Sequence, residues 1–370
     1  MVGEKGQRRK FRRLESRLRG MMLGLALGDT VGAARGKPPV SGPLRAGVST
    51  QLACFTAEGI VRAMVRMTHK GLCHPPSVVL HAYCRWAALQ GIEAEKMRRR
   101  WAPGTGTEWP DGWLIGVPVL AERRGSAPAT VTALSRIDER HAGTATRSRG
   151  CHALTRALPI AAIGKEGAAL AGETAALTHG DPAAQSATVW ATALVHHCLT
   201  SSPEGVQHPI PTNQLVQETL RAGIAALPLL IRDAAGGECD HLMTVFRDAV
   251  DRPAEADLLA RLAPDATAPS ALRGGLYAAA SFPGRADFGT ALTFASGAPD
   301  GDSVASVTGA LLGAVHGIEA LPVDLVSRHE LSWVLDTLAR DLLTQAIDSP
   351  SGSEYVEGWD PYWWSRYPGW

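Results

Sequence analysis

The sequence predicts an all-α protein, a compact bundle of many helices packed orthogonally and irregularly, on three observations. Segments rich in Ala, Leu, Arg and Glu recur along the 370 residues. Gly or Pro clusters break them at intervals, and β-branched alternating runs are scarce. Hydrophobic residues make up 45% of the chain and charged residues 20%, which is enough apolar surface for one large core.

Taken in order, the chain opens on a basic stretch: residues 5–19 carry eight Lys or Arg against one acid, Glu15. That density predicts a solvated, flexible arm over residues 1–16, with an anion- or nucleic-acid-binding arm as the alternative. The apolar run that follows, 21–27, is too short to span a bilayer and has no small-residue cleavage site. The expected localisation is therefore cytoplasmic, with no membrane partner. With a net charge of +1, nothing in the overall balance calls for nucleic acid as the main partner. The Gly-rich stretch 28–32 (GDTVG) reads as a helix break.

Over 50–68, Leu52, Phe55, Gly59, Ala63 and Met67 recur at spacings of three and four, which predicts a helix. Further helices are predicted at 77–90, 166–177, 183–199, 213–226, 271–281, 303–315 and 328–346. Loops fall at 36–48, 102–118, 141–151, 200–213 and 293–302. A length of 370 residues could hold two domains of about 150 residues, but no linker divides 17–350, which reads as one domain. The tail, 351–370, has seven aromatics in its last sixteen residues and is expected to pack on that domain as a strap. A dimer contact or a stacking platform is the alternative.

Enzyme signatures are mostly missing. No G-x-x-x-x-G-K-[ST], G-x-S-x-G or H-E-x-x-H occurs, which leaves P-loop, serine-hydrolase and zincin chemistry without support. Six cysteines at irregular spacings read as buried apolar side chains. His152, His179, His196, His197 and His316 read as structural: none has a partner at ligand spacing except the adjacent pair His196–His197, whose rings point about 100° apart on a helix and cannot share an ion. One acidic constellation opens a predicted helix: Asp300, Asp302 and Ser303. Two carboxylates at i and i+2 beside a hydroxyl can aim oxygen ligands at a hard cation such as Mg²⁺. The same residues are also ordinary capping and turn chemistry.

Four stretches, in order, resemble the ADP-ribosylglycohydrolases, including the dinitrogenase-reductase-activating group. They are RLRGMMLGLALGDTVG (17–32), TQLACFTAEG (50–59), SRGCHALTRALP (148–159) with THGDP (178–182), and PDGDSVASVTGALLGAVHG (299–317). The first is similar to the family's opening helix and Gly-Asp-Ala-x-Gly turn, the last to its Gly-Asp-Ser-Asp-Ser/Thr motif.

The resemblance implies a cleft where two Mg²⁺ ions bind the ribose of ADP-ribose and activate the water that cleaves its bond to a protein side chain. Family ligands come from a Ser/Thr-Asp-Asp triplet and from the late Asp-x-Asp-Ser/Thr motif. Carried over, Asp300 and Asp302 stand at the late carboxylates, the residues expected to serve catalysis, and Ser303 at the hydroxyl. The early motif departs: Gly47, Val48 and Ser49 stand where Ser/Thr-Asp-Asp belongs, ahead of Thr50, and basic Arg35 and Lys37 lie near another acidic position.

Mg²⁺ is therefore expected as one weakly bound ion or none. Asp29, Ser49, Thr50, Gly150, Cys151, His152 and His179 are the residues expected to line the ligand cleft. The leading expectation is a protein that binds ADP-ribose, a related nucleotide or an ADP-ribosylated protein, with two-metal hydrolysis lost or much reduced, a pseudoenzyme. One alternative is an active Mg-dependent hydrolase in which Asp29, Glu108 or Asp111 rebuilds the site. Another is a scaffold using the basic arm and aromatic tail.

Overall fold

The computed structural model describes residues 4–101, 109–137, 145–201, 214–231 and 236–369. Among these every regular element is a helix: α1 (Glu4–Ala33), α2 (Val48–Lys70), α3 (Pro75–Leu89), α4 (Ala94–Trp101), α5 (Pro128–Ser135), α6 (His152–Thr155), α7 (Gly167–Ala176), α8 (Pro182–Thr200), α9 (Leu215–Leu230), α10 (Gly236–Asp251), α11 (Ala256–Leu262), α12 (Ala268–Ser281), α13 (Phe288–Ala295), α14 (Gly301–His316), α15 (Val323–Arg328), α16 (Ser332–Ile347) and α17 (Trp363–Arg366). The segments read as helical from the sequence fall on α2, α3, α7, α8, α9, α12, α14 and α16. None of the helices is long and apolar enough to cross a membrane, among the described residues.

The centre of the molecule is an antiparallel pair, α1 against α14, in direct backbone contact. Gly20, Gly24, Gly28 and Gly32 recur every four residues on one face of α1. A Cβ at Gly24 would lie 2.2 Å from the Gly309 carbonyl oxygen, and one at Gly28 would lie 2.0 Å from that of Ala305. Reciprocally, a Cβ at Gly313 would lie 2.1 Å from the Gly20 carbonyl. Removing these side chains lets the helices approach more closely than the 8–10 Å usual between axes.

This corrects the reading of 28–32 as a break. The stretch is helical up to Ala33, because the packing gained against α14 outweighs the cost of about 1 kcal/mol per helical glycine. The chain leaves α1 after that, through Arg35 (φ 52°) and Gly36 (φ 75°), with the Gly36 N–H donating to the Val31 carbonyl at 2.9 Å.

The basic stretch is, from Glu4 on, the N-terminal half of α1, with Arg8, Arg9, Lys10 and Arg12 exposed. Where α1 enters the body its basic residues find partners. Arg17 donates to the Cys198 and Leu199 carbonyls at the end of α8, and Arg19 pairs with Asp336 at 2.5 Å. At the other terminus Trp363 and Tyr367 are buried. Trp363 Nε1 donates to Gln345 of α16 at 2.9 Å, and Arg366 pairs with Asp341 at 2.8 Å.

Candidate functional site

The α1–α14 contact places Asp29 and Asp302 beside each other. Gly32 packs directly on Asp302, with a Cβ there only 2.4 Å from the Asp302 Cα, so the late motif touches α1 rather than facing it across a gap. The N-terminus of α2 completes this corner. Its N-cap, Gly47, has no side chain to cap with, and Asp29 fills the space: a Cβ on Gly47 would lie 2.3 Å from Asp29 Oδ1. Asp29 Oδ2 accepts hydrogen bonds from the Thr50 N–H (2.9 Å) and the Thr50 hydroxyl (2.6 Å).

The segment 146–156 supplies the other side. Thr146 bridges His179, Gly150 bridges Thr267, and a Cβ on Gly150 would lie 3.3 Å from His179 Nε2. This brings Cys151 and His152 to the start of α14, with Cys151 Sγ 4.0 Å from His152 Nδ1. The sequence-predicted residues therefore gather in one neighbourhood. Asp29, Ser49, Thr50, Cys151, His179 and Ser303 are buried, while Gly150, His152, Asp300 and Asp302 are half-exposed at its mouth.

Electrostatics follow from crowding acids in a dry place. Burial, with the negative charge of Asp302 adding to it, raises Asp29 to about 6 against the opposing hydrogen bonds from Thr50. Burial and Asp302 likewise raise Asp300 to about 6. Burial and Asp300 push the Cys151 thiol well above its ordinary value, so it stays protonated and is not a thiolate nucleophile. Burial lowers His152 to about 4, although Asp302 opposes the shift. Burial and the nearby Arg156 lower His179 to about 2.

Two buried oxygens here, Asp300 Oδ2 and Ser303 Oγ, make no well-formed hydrogen bond, with the Ser303 hydroxyl and the Cys151 thiol as the polar groups beside the Asp300 carboxylate. Beside Asp302 they suit one hard cation, which prefers anionic and hydroxyl oxygen. The early half does not fit a second one. Val48 is apolar and packs against Gly125, the Ser49 hydroxyl is 3.0 Å from that of Thr155, and Gly47 has no side chain to offer. Among the described residues no three His, Cys, Asp or Glu side chains group as metal ligands. Arg35 donates to the carbonyls of Ala298 (3.3 Å) and Pro299 (3.4 Å), steadying the loop that leads into Asp300.

Of the acids that could rebuild the site, Asp111 faces Arg62 at 3.3 Å and Arg85 at 3.6 Å, away from this corner. Glu108 lies outside the described residues. Sequence reasoning missed Arg156, which is fully buried one turn after His152. It donates to the hydroxyls of Thr130 (3.0 Å) and Thr178 (2.6 Å) and the Thr174 carbonyl (3.2 Å), with Tyr83's ring 4.3 Å away. Through Thr178, which is 2.8 Å from His179 Nδ1, it fixes that imidazole. The signal available was an arginine at four-residue spacing from His152 in an otherwise apolar stretch. Two of the other histidines read as structural serve carbonyls: His196 donates to that of Ala161 and His316 to that of Pro283.

Fold and site together define a class, an all-helical protein whose acidic loop motif opens one member of a glycine-packed helix pair. A sequence profile of the ADP-ribosylglycohydrolase family matches residues 11–351, and the chain belongs to that family. A solved structure described as an ADP-ribosylglycohydrolase-related protein complex has the same fold, with TM-score 0.55 at 20% identity, covering 91% of this chain and 100% of that one. A search of curated proteins finds no match to the sequence.

Proposed function

We infer that the chain binds ADP-ribose or a related nucleotide at the mouth formed by Gly150, His152, Asp300 and Asp302, with two-metal hydrolysis lost or much reduced. The ligand class comes from the family, whose substrates are ADP-ribose-related. The observation that carries the loss is the start of α2: Val48 is packed against Gly125 and Ser49 lies against Thr155 where two carboxylates would be needed. Asp29 does not make up the deficit, because it is buried, with Oδ1 against Gly47 and Oδ2 held by Thr50.

The orphaned oxygens of Asp300 and Ser303 favour a second reading, a hydrolase with one ion held by Asp300, Asp302 and Ser303. A divalent ion there would supply Lewis-acid polarisation and ribose alignment. The chain's own residues would orient the ligand and exclude water around it, and His152, neutral above about pH 4, is available as a hydrogen-bonding group. Calorimetric titration of ADP-ribose with EDTA and with Mg²⁺, run beside release of ADP-ribose from modified arginine and serine peptides, separates the two. Binding with slow or absent release is expected. Brisk magnesium-dependent release would replace the first reading with the second.

A further inference from the structure

The N-terminal half of α1 presents a different chemistry to solvent. Residues 7–12 are all exposed, and a run of that length covers more than one turn of about 3.6 residues, so this part of the helix stands clear of the body. Phe11 lies roughly 27 Å along the helix from Asp29, at about 1.5 Å per residue, well away from the acid corner. A concavity of about 710 Å³ runs beside it, lined by Arg8, Lys10, Phe11, Arg12 and Leu14, with Ile347 at the end of α16.

Apolar and cationic groups alternate there. Phe11 is 41% exposed and Ile347 59%, so a ring and an aliphatic side chain are both bare. Lys10 and Arg12, on either side of Phe11 in the sequence, are exposed and pair with no acid among the described residues. Arg8, Arg9 and Arg13 make contacts of their own. Glu15 is the one acid among the described lining residues, and its charge is met by Arg340 at 3.2 Å, which also holds Asp336 at 2.9 Å.

An exposed ring flanked by two cations matches a polyanion that carries flat rings of its own, with phosphate oxygens against Lys10 and Arg12 and a base against Phe11. An anionic membrane is the poorer match. A helix lying in the bilayer interface needs an apolar face, and between residues 4 and 13 Phe11 is the one large apolar side chain. A duplex keeps its bases stacked on one another and would leave the Phe11 ring unused.

We propose that this part of α1 binds single-stranded nucleic acid without sequence preference, through phosphate contacts from Lys10 and Arg12 and a base stacked on Phe11. The cation half and the stacking half are tested apart by fluorescence anisotropy, with the full chain titrated into a labelled single strand of about 12 nucleotides and into the same sequence as a duplex. All three substitutions fall at exposed helix positions. Phe11→Ala weakens the single strand by about fivefold and leaves the duplex unchanged. Lys10→Gln and Arg12→Gln each lower the slope of log affinity against log salt for the single strand by about 0.7. A loss in Phe11→Ala that is equal for strand and duplex, or a salt slope untouched by both glutamine variants, would overturn the proposal. So would phosphatidylserine vesicles or polyglutamate binding more tightly than the strand, or the lack of saturable binding at physiological salt.

Discussion

Asp29 of α1 caps α2 across the tertiary structure, accepting both the backbone N–H and the hydroxyl of Thr50 in the space that a side chain on Gly47 would occupy. Asx and Ser/Thr caps normally belong to the helix they cap; here the cap is supplied from twenty-one residues before Thr50, with its charge at the positive end of the helix dipole. The same carboxylate sits near Asp302, which helps raise it to about 6.

Two opposed substitutions test this arrangement. Asp29→Ala leaves the Thr50 donors buried without an acceptor and should cost about 1–3 kcal/mol in urea unfolding. Asp29→Asn keeps an acceptor and removes the repulsion with Asp302, and should fall within about 1 kcal/mol of wild type. Equal losses from both would show that the charge, and not the cap geometry, is what matters.

The glycine contact between α1 and α14 predicts an inversion of helix propensity. Gly28→Ala improves intrinsic propensity by about 1 kcal/mol. Its methyl would nonetheless arrive 2.0 Å from the Ala305 carbonyl oxygen, which is backbone and cannot rotate away. A net loss of roughly 2–4 kcal/mol is expected by denaturant titration. A stabilised variant would mean that the two helices are free to separate.

That glycine row also shows what was legible in the sequence. The helices could be read because apolar spacing is a local property, and Asp300, Asp302 and Ser303 because three oxygen ligands stand within four residues. The stretch 28–32 reads as a helix break because its glycines are explained only by their contacts with Ala305 and with Gly301 and Asp302, about 270 residues away. Glu58 and Arg62 have the i,i+4 spacing of a solvated surface pair, yet both are buried, since Arg85 and Asp111 come from other elements to complete the quartet. Arg156 was missed for a similar reason: its partners are hydroxyls and a carbonyl, which leave no charge pattern.

Buried imidazoles give a pH dependence of definite sign. His179 (about 2) and His329 (about 4) are held below the ordinary 6.5, so the folded state refuses a proton that the unfolded chain accepts. Their contribution is complete above pH 6.5 and is lost as pH falls through 6.5, toward 4 for His329 and toward 2 for His179, at about 1.4 kcal/mol per unit for each histidine. His179→Asn removes one such group while keeping a polar side chain beside Thr178. The cost of the substitution should then be smaller at pH 5 than at pH 7.5 by roughly 2 kcal/mol. The raised Asp29 and Asp300 act in the opposite direction, but they cancel in this difference. An equal cost at both pH values would show that His179 titrates normally in the folded protein.

The start of α2 offers the most direct test of the functional reading. Val48 and Ser49 occupy its first turn, next to Gly125 and Thr155 and just ahead of Thr50, which Asp29 caps. Replacing both with Asp would add two carboxylates to Asp29, Asp300 and Asp302, two of which are already raised to about 6 by burial and mutual repulsion. Without a cation the double variant should therefore be less stable than wild type, even though acids at a helix N-terminus are otherwise favourable. Magnesium reverses this by linkage, because an ion bound only by the folded state stabilises it by about 2.7 kcal/mol at one hundred times its Kd. Millimolar Mg²⁺ should raise the melting temperature of the variant by several degrees and that of wild type little, while calorimetry counts two ions in the variant and at most one in wild type. Release of ADP-ribose from modified peptides should rise in parallel. Two tightly bound ions in the wild-type protein would show that another acid completes the site, and the reading of a lost two-metal centre would then give way to that of an active hydrolase.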